Sequence, residues 1–190
     1  EPALPLEQRL DRLVVDYYPS ATEPGTTVLV MVDGKPVLRK GYGMADVKKG
    51  VKVTPDMIFR IASISKQFTA VAVLQLVQAG KVSLTDPITK YVPDFDTQGK
   101  TITIENLLTH TSGLFNVTAL DGFLAQPTKD LKPIEVANQI AGKPLEFEPG
   151  SQFKYSNTNY ILLGMLIEKV TGRTYAESLA SSIAKPLGLA

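Results

Sequence analysis

The chain has 190 residues, of which 44% are hydrophobic and 21% charged, a composition typical of a globular domain. Twenty Lys and Arg against 19 Asp and Glu leave a net charge of +1, so neither nucleic acid nor an anionic membrane surface is an expected partner. No apolar segment approaches the ~20 residues of a membrane-spanning helix, and no membrane span is expected. With no Cys and one His, we expect no disulfide, no metal site and no cofactor.

The first 50 residues predict a helix followed by a β-hairpin. Apolar side chains recur at helical spacing over residues 6–17, and Pro19 is expected to end that helix. Residues 26–33 and 36–41 are rich in β-branched residues and flank an Asp-Gly pair, which is a strong signal for a hairpin. Residues 44–53 are predicted to be a polar connection.

From residue 51 onward, helices predominate. The segment from Ser63 to Ala79 is apolar on most sides, so we expect a helix buried at the centre of the protein. Further helices are predicted over residues 103–109, 133–140, 157–170 and 174–184. The sequence therefore predicts an α+β chain with two domains, a helix and hairpin over 1–50 and a mostly helical part over 51–190.

Ser63 and Lys66 stand three residues apart at the start of this predicted central helix, and hence on one face. A hydroxyl nucleophile beside an amine is a pattern of acyl-transfer enzymes. Burial disfavours the ammonium form, so we expect the pKa of Lys66 to be lowered and its amine to accept a proton. The helix start also offers backbone N–H groups, including that of Ser63, to a developing oxyanion. The alternative is a surface Ser/Lys pair without a catalytic role.

Tyr155, Asn157 and His110 are the other candidates, and each has a structural alternative. Tyr155 could carry a proton beside a cation, or be half-buried packing; Asn157 could bind an amide or ester, or cap the following helix. The chain has no G-x-S-x-G serine with which His110 could form a catalytic triad. We therefore expect His110 to hydrogen-bond backbone groups instead.

Three motifs stand in a fixed order along the chain. They are Ser63-Ile64-Ser65-Lys66, the segment LLTHTSGL at residues 107–114, and Tyr155-Ser156-Asn157, and the chain closes with Lys185-Pro186-Leu187-Gly188. In these residues the chain resembles the penicillin-binding, class C β-lactamase-related serine hydrolases. That superfamily includes D-alanyl-D-alanine carboxypeptidases and related esterases.

The resemblance implies a β-lactamase/transpeptidase-like fold with an all-α lobe and an antiparallel sheet lobe built from both chain ends. It implies that Ser63 is the acylated nucleophile and that Lys66 abstracts its proton. It further implies that Tyr155 shuttles protons with that lysine and that Asn157 orients the amide of the substrate. The segment around His110 resembles a structural signature of the family, not a catalytic one.

The resemblance also implies a third motif, Lys-Thr-Gly or a variant, on a strand that would follow Ala190. We therefore expect the sheet lobe to be incomplete in this chain and a second chain or segment to complete it. The expected substrate is a β-lactam, a D-amino-acid peptide or an ester, hydrolysed through an acyl-enzyme in a periplasmic or secreted protein. The alternatives are a carboxylesterase of the same fold and a catalytically silent fragment or binding protein.

Overall fold

The computed structural model describes residues 4–18, 20–125 and 130–189. They form two compact units that divide between Arg60 and Ile61. Helices and small antiparallel sheets together give a partial α+β fold, which confirms the predicted class. The predicted division after residue 50 concerns the lobes of the family fold and stays a prediction. Among the described residues, no helix is long and apolar enough to span a membrane.

The first unit contains one helix and four strands among its described residues. They are α1 (Leu6–Tyr17), β1 (Thr26–Val32), β2 (Lys35–Tyr42), β3 (Met44–Asp46) and β4 (Val51–Lys52). The predicted hairpin is confirmed, since β1 and β2 pair antiparallel. Asp33 and Gly34 both have positive φ, 49° and 73°, as the tight turn between right-twisted strands requires. Pro19, expected to end α1, lies outside the described residues.

The predicted polar connection over residues 44–53 is wrong in part, because β3 and β4 pair there. Neither short strand has the alternation of apolar residues that would reveal it. The backbone of β3 also contacts the segment ahead of β1, where the Gly25 N–H donates to Met44 O at 2.9 Å. A side chain at Gly41 would place its Cβ 2.3 Å from Val53 O, so a glycine is needed at this crossing.

The second unit is helical in the residues described. Its α-helices are α2 (Ser65–Gln78), α3 (Ile104–Leu108), α4 (Pro133–Ala137), α5 (Asn157–Thr171) and α6 (Tyr175–Leu179). The Thr103 hydroxyl caps α3 by accepting from Asn106 N, and Gly172 ends α5 with a φ of 66°. Two predicted helices are shorter than expected, because a 3₁₀ turn follows α4 and a π turn follows α6.

The core of this unit is built around α5. Leu162, Leu163, Leu166 and Ile167 are all buried there, and α5 packs on α2, α3, α4 and α6. Each such side chain contributes roughly 1.5–3 kcal/mol by leaving water. A continuous buried stripe on one helix therefore anchors the unit.

The prediction that the Ser63–Ala79 segment is the buried centre is wrong for the described structure. In α2 only Thr69, Ala72 and Val73 are buried, whereas Val71 and Leu74 are 45% and 48% exposed. The apolar side chains of α2 lie on most of its faces. Because the helix packs along one face, apolar side chains on the other faces stay exposed. Composition alone did not reveal which face would be covered.

Candidate active site

Ser63 lies on a tight turn ahead of α2, not within the helix as predicted. Residues Ala62–Ile64 form a 3₁₀ turn, and the α-helix begins at Ser65. Ala62 has a φ of 44°, a left-handed conformation that costs an L-residue roughly 1–2 kcal/mol. The turn leaves Ser63 exposed, while Lys66 is half-buried on the first turn of α2.

The segment that leads to Tyr155 is held by the His110–Gly113 backbone. Lys154 N donates to His110 O at 2.9 Å, and Glu146 N donates to Gly113 O at 2.8 Å. Gly113 has a φ of 76°, and a Cβ there would lie 2.2 Å from Phe147 O. This backbone pairing therefore needs a glycine at 113, which gives the motif a structural part.

The structure brings the four predicted site residues together from two segments about 90 residues apart. Ser63 Oγ lies 2.7 Å from the Tyr155 hydroxyl and 3.4 Å from Lys66 Nζ. Lys66 Nζ donates to Asn157 Oδ1 at 2.7 Å, and the Tyr155 hydroxyl lies 3.3 Å from the same oxygen. Serine, amine, phenol and amide thus form one connected group.

The Lys66 ammonium faces two aromatic rings. Its Nζ lies 4.8 Å from the ring centre of Tyr155 and 5.4 Å from that of Tyr160. Ring faces attract a cation, so they hold the lysine head in place. Sequence reasoning missed Tyr160, although it stands three residues after Asn157, and that spacing on a helix could have revealed it.

The pKa of the Tyr155 phenol lies below its ordinary value. Burial alone would raise this pKa, but the polar contacts with Lys66 and Ser63 and the positive charge of Lys66 together outweigh it. The tyrosinate is therefore reached at lower pH than for a free tyrosine. Tyr155 is 39% exposed, so solvent reaches the phenol.

His110 lies beneath these rings and does not point to a triad. Its ring centre is 4.6 Å from that of Tyr155 and 5.1 Å from that of Tyr160. Its Nδ1 accepts the Ser156 N–H at 3.3 Å, which confirms the expected bond to backbone. Burial, and secondarily the Lys66 charge, lower the pKa of His110, so a neutral imidazole is favoured.

Asn157 does not cap α5, so the structural alternative for this residue is wrong. Ser156 occupies the N-cap position, and the Asn157 side chain turns toward Lys66. Its Nδ2 donates to Asn116 Oδ1 at 3.2 Å and to Thr118 Oγ1 at 2.9 Å. Sequence reasoning missed Asn116 and Thr118, and no local pattern marks them beyond their position just after the His110 motif.

Within the described ranges, no group of three or more His, Asp or Glu side chains is placed to hold a metal ion. The site brings together a hydroxyl, a group that can accept its proton and a cation. Such a set can generate a nucleophile and move its proton.

Two sequence relatives come from Staphylococcus aureus. The chain is 39% identical over 186 residues to Protein flp of strain N315, covering 95% of this chain and 37% of that protein. It is 33% identical over 176 residues to a teichoic acid D-alanine hydrolase, covering 92% of this chain and 42% of that protein. The chain thus spans less than half the length of either relative.

Two solved structures resemble the chain as a whole. The octameric penicillin-binding protein homologue from Pyrococcus abyssi is 34% identical with a TM-score of 0.80, covering 95% of this chain and 43% of that one. The D-amino acid amidase from Ochrobactrum anthropi SV3, complexed with L-phenylalanine, is 31% identical with a TM-score of 0.81, covering 95% and 50%. The Beta-lactamase family model matches residues 10–190. The chain therefore belongs to the Beta-lactamase family of serine hydrolases and has the β-lactamase/transpeptidase-like fold.

Proposed function

We propose that this chain carries the acylation machinery of a hydrolase that works through an ester at Ser63. The observation that carries the proposal is the pair of contacts from Ser63 Oγ, at 2.7 Å to the Tyr155 hydroxyl and 3.4 Å to Lys66 Nζ. A serine hydroxyl is a weak nucleophile until a neighbouring group takes its proton.

In the proposed reaction, Oγ attacks the substrate carbonyl carbon and its proton passes to the Lys66–Tyr155 pair. The carbonyl carbon then breaks its bond to the amine or alcohol, which leaves with that proton. Water hydrolyses the Ser63 ester to a carboxylic acid and restores the hydroxyl. The Ser63 N–H, at the turn that opens α2, is the proposed oxyanion donor on this chain.

The shorter distance favours the Tyr155 oxygen as the first acceptor of the Ser63 proton. The lowered pKa of Tyr155 supports this role, and the Lys66 charge stabilises the tyrosinate that accepts. The Lys66–Tyr155 pair then passes that same proton to the leaving group, which restores the tyrosinate. This differs from the sequence-based expectation, in which Lys66 abstracts the Ser63 proton directly.

The proposed substrate is an amide or ester whose acyl group is a D-amino acid. Two relatives support this choice by name, a teichoic acid D-alanine hydrolase and a D-amino acid amidase. The expected β-lactam, D-amino-acid peptide and simple ester remain as competing substrates.

The test is covalent labelling followed by turnover, using the full-length protein. A fluorophosphonate probe should add to Ser63 in peptide mass spectrometry, and Ser63→Ala should abolish the adduct. Ser65→Ala is the matched control, an exposed serine two residues away that should keep it. If the parent protein shows no labelling and no turnover, the catalytically silent alternative is favoured.

The substrate class is tested separately, on protein that labels. D-Alanine p-nitroanilide should be cleaved faster than its L enantiomer, a chromogenic cephalosporin and a short-chain nitrophenyl ester. Faster turnover of the nitrophenyl ester would favour the carboxylesterase alternative. Equal rates for both enantiomers would contradict the D-amino acid assignment.

We propose further that the protein acts outside the cytoplasm and that a second segment or chain adds strands to the β1–β2 hairpin. The first point is supported by the relative named for teichoic acid, and the second by the marginal stability of a lone two-stranded sheet. Full activity from a single 190-residue species would contradict the second point. Activity confined to the cytoplasmic fraction would contradict the first.

A further inference from the structure

The side chain of Asn116 has an orientation that backbone donors fix. Its Oδ1 accepts the N–H of Asn157 at 3.0 Å and the N–H of Thr118 at 3.4 Å. A backbone N–H can only donate, so the atom facing these two groups is the Asn116 oxygen and not its nitrogen.

The orientation of the Asn116 side chain also fixes those of the Thr118 hydroxyl and the Asn157 amide. The Thr118 hydroxyl donates to Asn116 Oδ1 at 3.0 Å, so it presents a lone pair to Asn157 Nδ2 at 2.9 Å. Asn157 Nδ2 also donates to Asn116 Oδ1 at 3.2 Å. Both N–H groups of the Asn157 amide are thereby used within the protein, and its oxygen is directed to Lys66 Nζ.

We propose that Asn116 and Thr118 are positioning residues that set the Asn157 amide so that its oxygen holds Lys66 beside Ser63. The inference rests on the proposed function of Ser63. A flipped amide would place its NH₂ group against the ammonium, two donors facing each other, and would leave Lys66 unheld. Within the protein Asn157 therefore acts on Lys66, and its expected role in orienting the amide of the substrate stays a prediction.

The loop that carries these two residues has its own attachment to α5. Thr158 Oγ1 donates to Phe115 O at 2.8 Å and accepts the Val117 N–H at 3.1 Å. Val117 and Thr158 are fully buried. Because these bonds do not involve Asn157, a change at the Thr118 hydroxyl leaves the loop itself anchored.

The first experiment compares two exchanges at Thr118. Thr118→Val removes the hydroxyl at similar size, and kcat for the substrate that the parent cleaves should fall about tenfold, the scale of a small misplacement, with KM within about twofold. Thr118→Ser keeps the hydroxyl and should retain the parental kcat. The matched control is Thr171→Val at the far end of α5, whose half-buried hydroxyl bonds Ile167 O and Ser178 Oγ; it should leave kcat unchanged.

The second experiment asks whether Thr118 acts through Asn157. The rate of fluorophosphonate labelling is measured for Thr118→Val, Asn157→Ala and the double variant. The effect of Thr118→Val should nearly vanish in the Asn157→Ala background, since two residues acting as one unit are not additive. Equal effects in both backgrounds would overturn the proposal.

The two proposals fail in different ways. A parent protein that neither labels at Ser63 nor turns over substrate would defeat the proposed function. A parent that labels normally, with Thr118→Val and Thr118→Ser both at the parental rate, would defeat only the positioning role of Thr118. A matching loss of kcat in Thr171→Val would show that the effect is one of general stability.

Discussion

The two helices that present the site residues are held in different ways. Helix α5, behind Tyr155 and Asn157, buries Leu162, Leu163, Leu166 and Ile167. Helix α2, behind Ser63 and Lys66, leaves Val71 and Leu74 almost half exposed. The phenol and amide thus stand on the anchored core, whereas the serine and lysine are aligned largely by polar contacts across the site. Stability and reactivity should therefore respond to different substitutions.

The largest expected effect is a contrast in stability between the helices. Leu166→Ala, in the α5 core, should lower the free energy of unfolding by about 2–5 kcal/mol, because it leaves a cavity. Leu74→Ala, in α2, should cost less than about 1 kcal/mol, since its side chain is partly in water already. Urea unfolding of both variants measures the difference. Similar losses would mean that the two helices are equally anchored.

Reactivity should show the opposite contrast. Lys66→Ala should lower kcat by on the order of 10², the scale of losing a general acid–base group, while shifting the unfolding temperature much less than Leu166→Ala. Lys169→Ala, an exposed lysine in the last turn of α5, is the control and should stay near the parental kcat. A Lys66→Ala rate within a few-fold of the parent would refute the role of this amine.

The pH dependence of acylation should sharpen the assignment of the proton acceptor. Tyr155 accepts a proton only as tyrosinate, so kcat/KM should rise with pH until it levels off at the lowered pKa of this phenol. Tyr155→Phe should lose this rise, and Lys66→Ala should move it to higher pH because the cation is gone. Stopped-flow acylation across pH 6–11 is the measurement, and an unchanged rise in Tyr155→Phe would assign it to another group.

The smallest expected effect concerns His110 and acid stability. Its folded pKa is depressed, so the unfolded chain binds the proton more readily, and stability should decline as pH falls from about 6.5 through the folded pKa. His110→Asn, which tolerates the positive φ at this position, should flatten the decline. Chemical denaturation at several pH values measures it; an identical slope in the variant would assign the decline to the carboxylates.

Local patterns in the sequence predicted a good part of the fold. The Asp33-Gly34 pair predicted the hairpin because few residues accept two successive positive φ angles. The helix predicted over residues 103–109 matches α3, which begins where the Thr103 hydroxyl caps it. Ser63 and Lys66 were found because three-residue spacing puts both on one helical face.

The rest depended on partners distant in sequence. The bonds from Asn116 and Thr118 to Asn157 cross about 40 residues, and no spacing rule connects them. The prominence of α5 over α2 followed from which faces are packed, and composition does not tell a buried apolar helix from one with an exposed face. The strands β3 and β4 were missed because they are three and two residues long, too short to show an alternation of apolar residues.

The left-handed backbone at Ala62 has a consequence for directed evolution of the site. A library at position 62 should enrich glycine, asparagine and alanine and lose Val, Ile and Thr, whose branched Cβ is poorly accommodated at such a φ. A glycine at position 62 would relieve the torsional strain, but its more flexible backbone would let the Ser63 hydroxyl take up a wider range of positions. Such a variant should gain thermal stability and lose reactivity at Ser63, because its nucleophile is held less precisely.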